Sequence, residues 1–140
     1  MKRATTGLFF ATGVLAVIAA GAQPGDRVAF DGAAALRHVA ALVALGPRPA
    51  GSPASARARD YIVRELRRAG VEARVERFDT DTPHGRLAMA NVVGIVRGRR
   101  PDTILVGGHY DTKWFKELPF VGANDGGSST ALLLELARRL

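Results

Sequence analysis

Apolar residues recur at helical spacing in three segments of the chain. Residues 31–45 and 54–70 carry them at intervals of three and four, and a glycine ends or follows each segment. Residues 128–140 form a third segment, which has leucines on more than one face. Because a helix of that kind needs cover on two sides, we expect this last helix to lie inside a larger domain.

Between the second and third helices, the pattern changes to that of strands. Residues 71–78 alternate apolar and charged side chains, and residues 87–98 are more apolar, so the two are predicted to pair as a hairpin. Residues 103–108 are a short apolar run without alternation, which is typical of a strand covered on both faces. The order of elements predicts an α/β fold with a mixed, mainly parallel sheet flanked by helices.

The first 22 residues have the features of a secretory signal peptide. Lys2 and Arg3 precede a long stretch without charge, and small residues precede Gln23. The apolar run is shorter than the roughly 20 residues that span a bilayer, although a retained membrane anchor stays an alternative. We expect residues 1–22 to be removed, residues 23–30 to be a short linker, and the product to be periplasmic or extracellular without stable membrane association.

The formal net charge of +7 does not identify a partner by itself. The arginines are scattered along the chain, whereas proteins that bind nucleic acids usually cluster basic residues on one face and interleave aromatic residues. No nucleic-acid partner is therefore expected. The chain also contains no cysteine, which excludes disulfides and a lipoprotein anchor.

Two motifs before the last helix carry residues suited to metal chemistry. His109 and Asp111 follow the apolar run 103–108, and residues two apart in extended backbone point to the same side. Asp111 can then accept a hydrogen bond from one imidazole nitrogen while the other nitrogen binds a metal. Asp125 lies in a glycine-rich stretch before the helix, whose N-terminus favours an ionised carboxylate. Each motif is weak alone, and together they indicate a metal or anion site.

Other chemistry has less support in the sequence. The glycine-rich stretch lacks the lysine of a nucleotide-binding loop, and Asp125 at its centre would repel phosphate. Neither Ser128 nor Ser129 lies in the G-x-S-x-G pattern of serine hydrolases. His38 is expected to be a structural histidine on the first helix and His84 a solvated turn residue, since ligand histidines occur in convergent groups.

Two segments of this chain are ILVGGHYDTK and FVGANDGGSSTALLLELAR. They resemble the core of the exported zinc aminopeptidase family, which also contains the animal-type glutaminyl-peptide cyclotransferases. The upstream segments LGPRPAGSP, ARDYIVRELRRAG and ANVVGIVRG follow the same layout. The resemblance implies a zinc-exopeptidase-like fold, of which residues 31–140 would be the N-terminal portion of the catalytic domain. The lysine and aromatic residue after HYDT, and FVGA before the aspartate motif, favour the cyclotransferase branch.

The resemblance also implies roles for individual residues. Asp125 matches the zinc-binding aspartate, which bridges two zinc ions in the aminopeptidases and holds one in the cyclotransferases. His109 matches a zinc ligand of the two-zinc enzymes, whereas the equivalent histidine of cyclotransferases need not bind metal. Asp111 matches the acid that steadies this histidine. Gly126 departs from the aminopeptidases, which commonly carry a second aspartate there, and so favours the cyclotransferases.

Three functions follow as hypotheses. The first is an exported zinc-dependent glutaminyl cyclase-like acyltransferase, which converts the N-terminal glutamine of peptides or proteins to pyroglutamate and releases ammonia. The second is a zinc aminopeptidase that removes N-terminal residues from peptides. One zinc ion is expected in the first case and two in the second. The third hypothesis is a non-catalytic exported module.

The 140-residue chain is expected to be inactive alone. A catalytic zinc site takes three protein ligands, and the resemblance supplies two candidates here. Glu135 is the only acid after Asp125, and its place within the helix directs it away from the site. We therefore expect the chain to be an incomplete fragment, with the general base of the family lying beyond Leu140.

Overall fold

The computed structural model describes residues 29–140, so the predicted signal peptide and most of the predicted linker lie outside the described residues. The helices and strands of this part of the chain are α1 (Gly32–Val43), α2 (Pro53–Arg68), β1 (Glu72–Thr82), β2 (Gly85–Ile95) and α3 (Ser129–Arg139), and a π-helical turn (Ala123–Ser128) runs directly into α3. None of these helices is both long enough and apolar enough to cross a membrane.

Side-chain caps set the beginnings of α1 and α2. Asp31 accepts a hydrogen bond from the backbone N–H of Ala34 at 3.0 Å, and Ser52 accepts one from that of Ser55 at 3.1 Å. Each bond satisfies a backbone donor that has no partner within the helix. Pro53 follows the second cap at a position where its missing N–H has no cost. Both predicted helices are confirmed to within two residues.

The predicted hairpin is confirmed and is longer than expected. β1 and β2 pair antiparallel from Glu72 opposite Ile95 to Thr82 opposite Gly85. β1 therefore continues beyond residue 78, where the predicted strand ended, as far as Thr82. The Thr82 hydroxyl donates to the carbonyl of Gly85 at 2.7 Å and accepts from the N–H of His84 at 3.1 Å, which closes the tight turn.

A small apolar core joins the helices to the hairpin. One buried cluster contains Ile62 and Leu66 of α2, Val71 directly before β1, and Leu134 of α3. Burying side chains of this size stabilises the fold by roughly 1.5–3 kcal/mol each. Tyr110 packs against the cluster, and its hydroxyl donates to the carbonyl of Ala90 in β2 at 2.7 Å. The core thereby fixes the backbone on either side of Tyr110.

The third predicted strand is not formed by the described residues. Residues 103–108 have no regular secondary structure, and the sheet within residues 29–140 contains β1 and β2 alone. Ile104 and Leu105 are 87% and 91% exposed, although their apolar run predicted cover on both faces. A strand is stabilised by ladder hydrogen bonds to a neighbour, and no strand in this part of the chain lies beside these residues. The parallel part of the predicted sheet is accordingly not seen here.

Glu135 ties the end of α3 to the start of α1. Its carboxylate is completely buried, and it accepts hydrogen bonds from the backbone N–H of Asp31 at 2.8 Å and from Arg138 and Arg139 at 2.7 Å. The hydrogen bond from Arg138 is the largest cause that lowers the pKa of Glu135 to about 2. This carboxylate is therefore held in an ion-pair cluster that includes neither His109 nor Asp125.

Candidate metal site

The imidazole of His109 lies between two carboxylates. Its Nδ1 atom is 3.2 Å from Asp111 Oδ1, and its Nε2 atom is 3.0 Å from Asp125 Oδ1. The three side chains are 54%, 38% and 52% exposed, so the group is open to solvent and to a ligand. The structure thus brings together all three residues that the sequence pattern indicated. Their binding of a metal stays a prediction.

Helix α3 holds the backbone of His109 in place. Thr130 donates its hydroxyl hydrogen to the His109 carbonyl at 3.0 Å, and Ser129 is 3.4 Å from the same oxygen. The alternation expected for extended backbone is also observed, since Tyr110 points into the core while its two neighbours contact each other. The first turn of α3 therefore sets the position of the imidazole.

A kink in the π-helical turn aims Asp125 at this imidazole. Asp125 has φ −78° and ψ 106°, and Gly126 has φ 83° and ψ −41°, so neither residue is helical. The Gly127 N–H still donates to the Gly122 carbonyl at 3.1 Å, which closes the turn around the kink. The carboxylate consequently leaves the helix axis and reaches His109.

Gly126 is required at the kink for two separate reasons. Its backbone conformation is one that residues with a side chain rarely adopt. A Cβ atom there would also lie 2.7 Å from the Asp111 carbonyl oxygen and 3.1 Å from His109 Cε1. A side chain at this position would push apart the residues that form the site.

The hydrogen-bonding groups around His109 indicate a proton or a metal ion between Nε2 and Asp125. Nδ1 is 3.2 Å from both the carbonyl and the carboxylate of Asp111, and these groups only accept hydrogen bonds, so the tautomer that fits them has its proton on Nδ1. In a neutral imidazole, Nε2 then has a lone pair that faces the Asp125 carboxylate at 3.0 Å. Two acceptors at this distance repel each other unless a proton or a metal ion lies between them.

The residues present fit one side of a zinc site. Imidazole nitrogen and carboxylate oxygen are common zinc ligands, and two such ligands on a tetrahedral ion lie roughly 3.4 Å apart when the bonds are about 2.1 Å long. The 3.0 Å between His109 and Asp125 is within a few tenths of an ångström of that separation. Residues 29–140 contain no group of three or more His, Cys, Asp or Glu side chains arranged to hold a metal. They therefore supply part of such a site.

The two other histidines make different contacts. His38 Nδ1 lies 2.6 Å from the Tyr61 hydroxyl, and burial lowers the pKa of His38. The ring of His84 meets the ring of Trp114 edge to face, with 4.8 Å between centroids. Trp114 and His84 also line a cleft of about 500 Å³ together with Asp111. Asp111 therefore faces both this cleft and His109.

Arg48, which is completely buried beneath the site, was not predicted from the sequence. Its guanidinium donates only to backbone carbonyls, and burial lowers its pKa. The sequence signal was slight, because an arginine in the loop GPRPAGSP has the same appearance as the exposed arginines elsewhere.

Comparison with known proteins connects this geometry to a family. Residues 91–140 match Peptidase family M28. A glutaminyl-peptide cyclotransferase of Bos taurus is 33% identical over 95 residues, which cover 64% of this chain and 26% of that protein. The chain spans about a quarter of the length of this curated relative.

Solved structures extend the comparison to the fold. A glutaminyl cyclase from an Acidobacteriales bacterium has a TM-score of 0.74 at 34% identity and covers 83% of this chain and 41% of its own. A Zn-dependent exopeptidase from Parabacteroides distasonis has a TM-score of 0.71 at 29% identity, with coverages of 80% and 42%. These matches confirm the predicted zinc-exopeptidase-like α/β fold.

Proposed function

We propose that the chain belongs to the family that joins the M28 zinc peptidases with the glutaminyl-peptide cyclotransferases, and that the whole protein is an exported zinc-dependent glutaminyl cyclase. Its substrates would be peptides or proteins with an N-terminal glutamine, which it converts to pyroglutamate. Because the chain spans only part of its relatives, the activity of the whole protein stays a proposal.

The zinc-dependent part of the proposal, which both candidate enzymes share, rests on the pair formed by His109 Nε2 and Asp125 Oδ1 at 3.0 Å. Two facing acceptors need a proton or a metal ion between them, and their separation suits a zinc ion. Asp111 supports this arrangement, because it accepts the Nδ1 hydrogen bond and leaves the Nε2 lone pair directed at Asp125. These contacts explain why three separate polar residues converge at the start of α3.

Gly126 supports a cyclotransferase over a two-zinc aminopeptidase. The second aspartate that aminopeptidases commonly carry would stand at this position, where a Cβ atom would lie 2.7 Å from the Asp111 carbonyl oxygen. This backbone therefore has no room for the side chain of that second aspartate. A single zinc ion, held in part by Asp125, is the assignment that agrees with the local geometry.

In the proposed reaction, bound zinc would act as a Lewis acid on the side-chain amide of the substrate's N-terminal glutamine. The free α-amine would attack the amide carbon, so that a new C–N bond closes the ring while the old C–N bond breaks. The proton lost by the attacking amine would pass to the leaving NH2 group, which departs as ammonia. Asp125 would hold the ion with an ionised carboxylate, while Asp111 would keep the His109 imidazole in one tautomer and orientation. Glu135 takes no part, since its oxygens are bound to Arg138, Arg139 and Asp31.

The second candidate is a zinc aminopeptidase. His109 favours it, because the resemblance matches this residue to a ligand of the two-zinc enzymes and it lies within reach of Asp125. The structural match to a Zn-dependent exopeptidase is also nearly as good as the match to a glutaminyl cyclase.

Product analysis separates the two candidates. The complete protein, loaded with zinc, is incubated with one peptide that begins with glutamine and with a matched peptide that begins with leucine. The proposal predicts ammonia and a pyroglutamyl peptide from the first and no reaction with the second, with activity lost in Asp125→Asn. Release of free leucine or free glutamine would overturn the cyclase assignment in favour of the aminopeptidase.

A further inference from the structure

Arg48 joins several segments of the chain by hydrogen bonds to their backbone carbonyls. Its guanidinium donates to five backbone carbonyls, at distances from 2.8 to 3.3 Å: Leu42, Gly46, Tyr110, Val121 and Gly122. Its own backbone N–H donates to the Thr112 hydroxyl at 2.9 Å, and its carbonyl accepts from the Thr112 N–H at 3.0 Å. None of the ion pairs found within residues 29–140 includes it.

Two of these connections concern the candidate metal site. Tyr110 is the residue between His109 and Asp111, and Gly122 begins the π-helical turn that carries Asp125. The Tyr110 carbonyl receives the Nε hydrogen at 3.1 Å, and the Val121 and Gly122 carbonyls receive hydrogens from the two terminal nitrogens. One rigid side chain thus spans the backbone of both halves of the site.

We infer that Arg48 is a positioning residue for the candidate metal site, where it fixes the separation between the His109–Asp111 segment and the turn that carries Asp125. The segments on either side of the site have no strand pairing in this part of the chain, so ladder hydrogen bonds do not set their spacing, and the Arg48 bonds add to the Thr130 bond that holds His109. Arginine suits the task because its five N–H donors form a planar fork of fixed geometry. The inference rests on the proposed role of His109 and Asp125, but its test does not require a metal.

The test compares amide hydrogen exchange at three residues in the wild type and in Arg48→Met, which keeps the length of the side chain and removes its donors. The Thr112 amide donates to the Arg48 carbonyl and the Gly127 amide to the Gly122 carbonyl, so both report on the site. The Val71 amide donates to the Leu66 carbonyl and reports on the core. We expect exchange at Thr112 and Gly127 to accelerate by at least about tenfold relative to Val71.

A second readout follows the imidazole itself. In the wild type, the ¹⁵N signal of His109 Nε2 reports its contact with Asp125 at 3.0 Å. In Arg48→Met, this signal is expected to move towards that of a free imidazole, while the signals of His38 and His84 stay unchanged. Arg48→Lys keeps the charge with three donors in place of five, and is expected to give a smaller change in the same direction.

Leu66→Ala is the matched control, because it weakens the core, against which Tyr110 also packs, without removing a hydrogen bond that Arg48 donates. It should accelerate exchange at Val71 at least as much as at Thr112 and Gly127. The inference is wrong if Arg48→Met and Arg48→Lys behave as this control does, with Val71 accelerated as much as Gly127. Loss of the whole fold in both variants would count as that outcome. It would refute the role given to Arg48 and would not bear on the proposal that the complete protein is a glutaminyl cyclase.

Discussion

Gly126→Ala tests whether the close packing around Asp125 has an energetic consequence. The new Cβ atom would lie 2.7 Å from the Asp111 carbonyl oxygen, a backbone atom that can move only with its segment. A left-handed backbone conformation costs a residue with a side chain about 1–2 kcal/mol, and overpacking adds roughly 1–3 kcal/mol. The free energy of unfolding should therefore fall by roughly 2–5 kcal/mol.

Two other glycines divide this cost into its parts. Gly70 has φ 77° and no atom within 4 Å of the position that a Cβ atom would occupy, so Gly70→Ala should show the conformational cost alone. Gly98 has neither a positive φ nor a close neighbour, so Gly98→Ala should stay within about 1 kcal/mol of the wild type. Urea unfolding of the three variants and the wild type, with equal slopes, gives the comparison.

The overpacking cost is the difference between Gly126→Ala and Gly70→Ala. The close contacts at the kink predict that this difference is positive and of order 1–3 kcal/mol. Equal losses of stability in the two variants would refute this reasoning, because the close approach of Gly126 to Asp111 and His109 would then have no energetic consequence. The assignment of a single zinc ion would lose its structural support at the same time.

Three further predictions concern other parts of the chain. The pKa of Glu135 is about 2 in the folded protein against an ordinary value of 4.5, so its contribution to stability is present above pH 4.5 and lost as the pH falls towards 2. Urea unfolding should show a shallower acid loss in Glu135→Gln, and an unchanged acid slope would contradict this. The 140-residue chain, rinsed with chelator, should retain no stoichiometric zinc by elemental analysis, since it supplies two candidate ligands; a tightly held metal would overturn that expectation. The proposed export predicts a mature protein that begins at Gln23 by mass spectrometry, and a retained Lys2 would contradict cleavage.

Local patterns were sufficient to predict the helices and the hairpin. Asp31 and Ser52 are residue types that cap helices, and each one caps its helix. These features depend on neighbours that are close in the sequence. The meeting of His109 with Asp125 was expected from two separate motifs taken together with the family resemblance.

Features that depend on distant neighbours were not accessible. Residues 103–108 have the composition of a buried strand, but no strand within residues 29–140 pairs with them, and Leu105 is 91% exposed. Arg48 is buried without a carboxylate partner, and its role depends on carbonyls of residues as distant as Gly122. Carbonyl groups leave no trace in a sequence, so a residue that binds only them cannot be recognised by its pattern.

The most direct test of the central claim is to add Co²⁺ to the ¹⁵N-labelled chain and follow the ring signals of its three histidines by NMR. Co²⁺ is a paramagnetic ion that broadens or shifts signals of the atoms near it, and it reports even weak binding. The proposed site predicts that His109 is affected first, that His38 and His84 serve as unaffected internal standards, and that Asp125→Asn abolishes the effect. Equal broadening of all three histidines, or an unchanged response in Asp125→Asn, would contradict the claim that His109 and Asp125 together hold a metal ion.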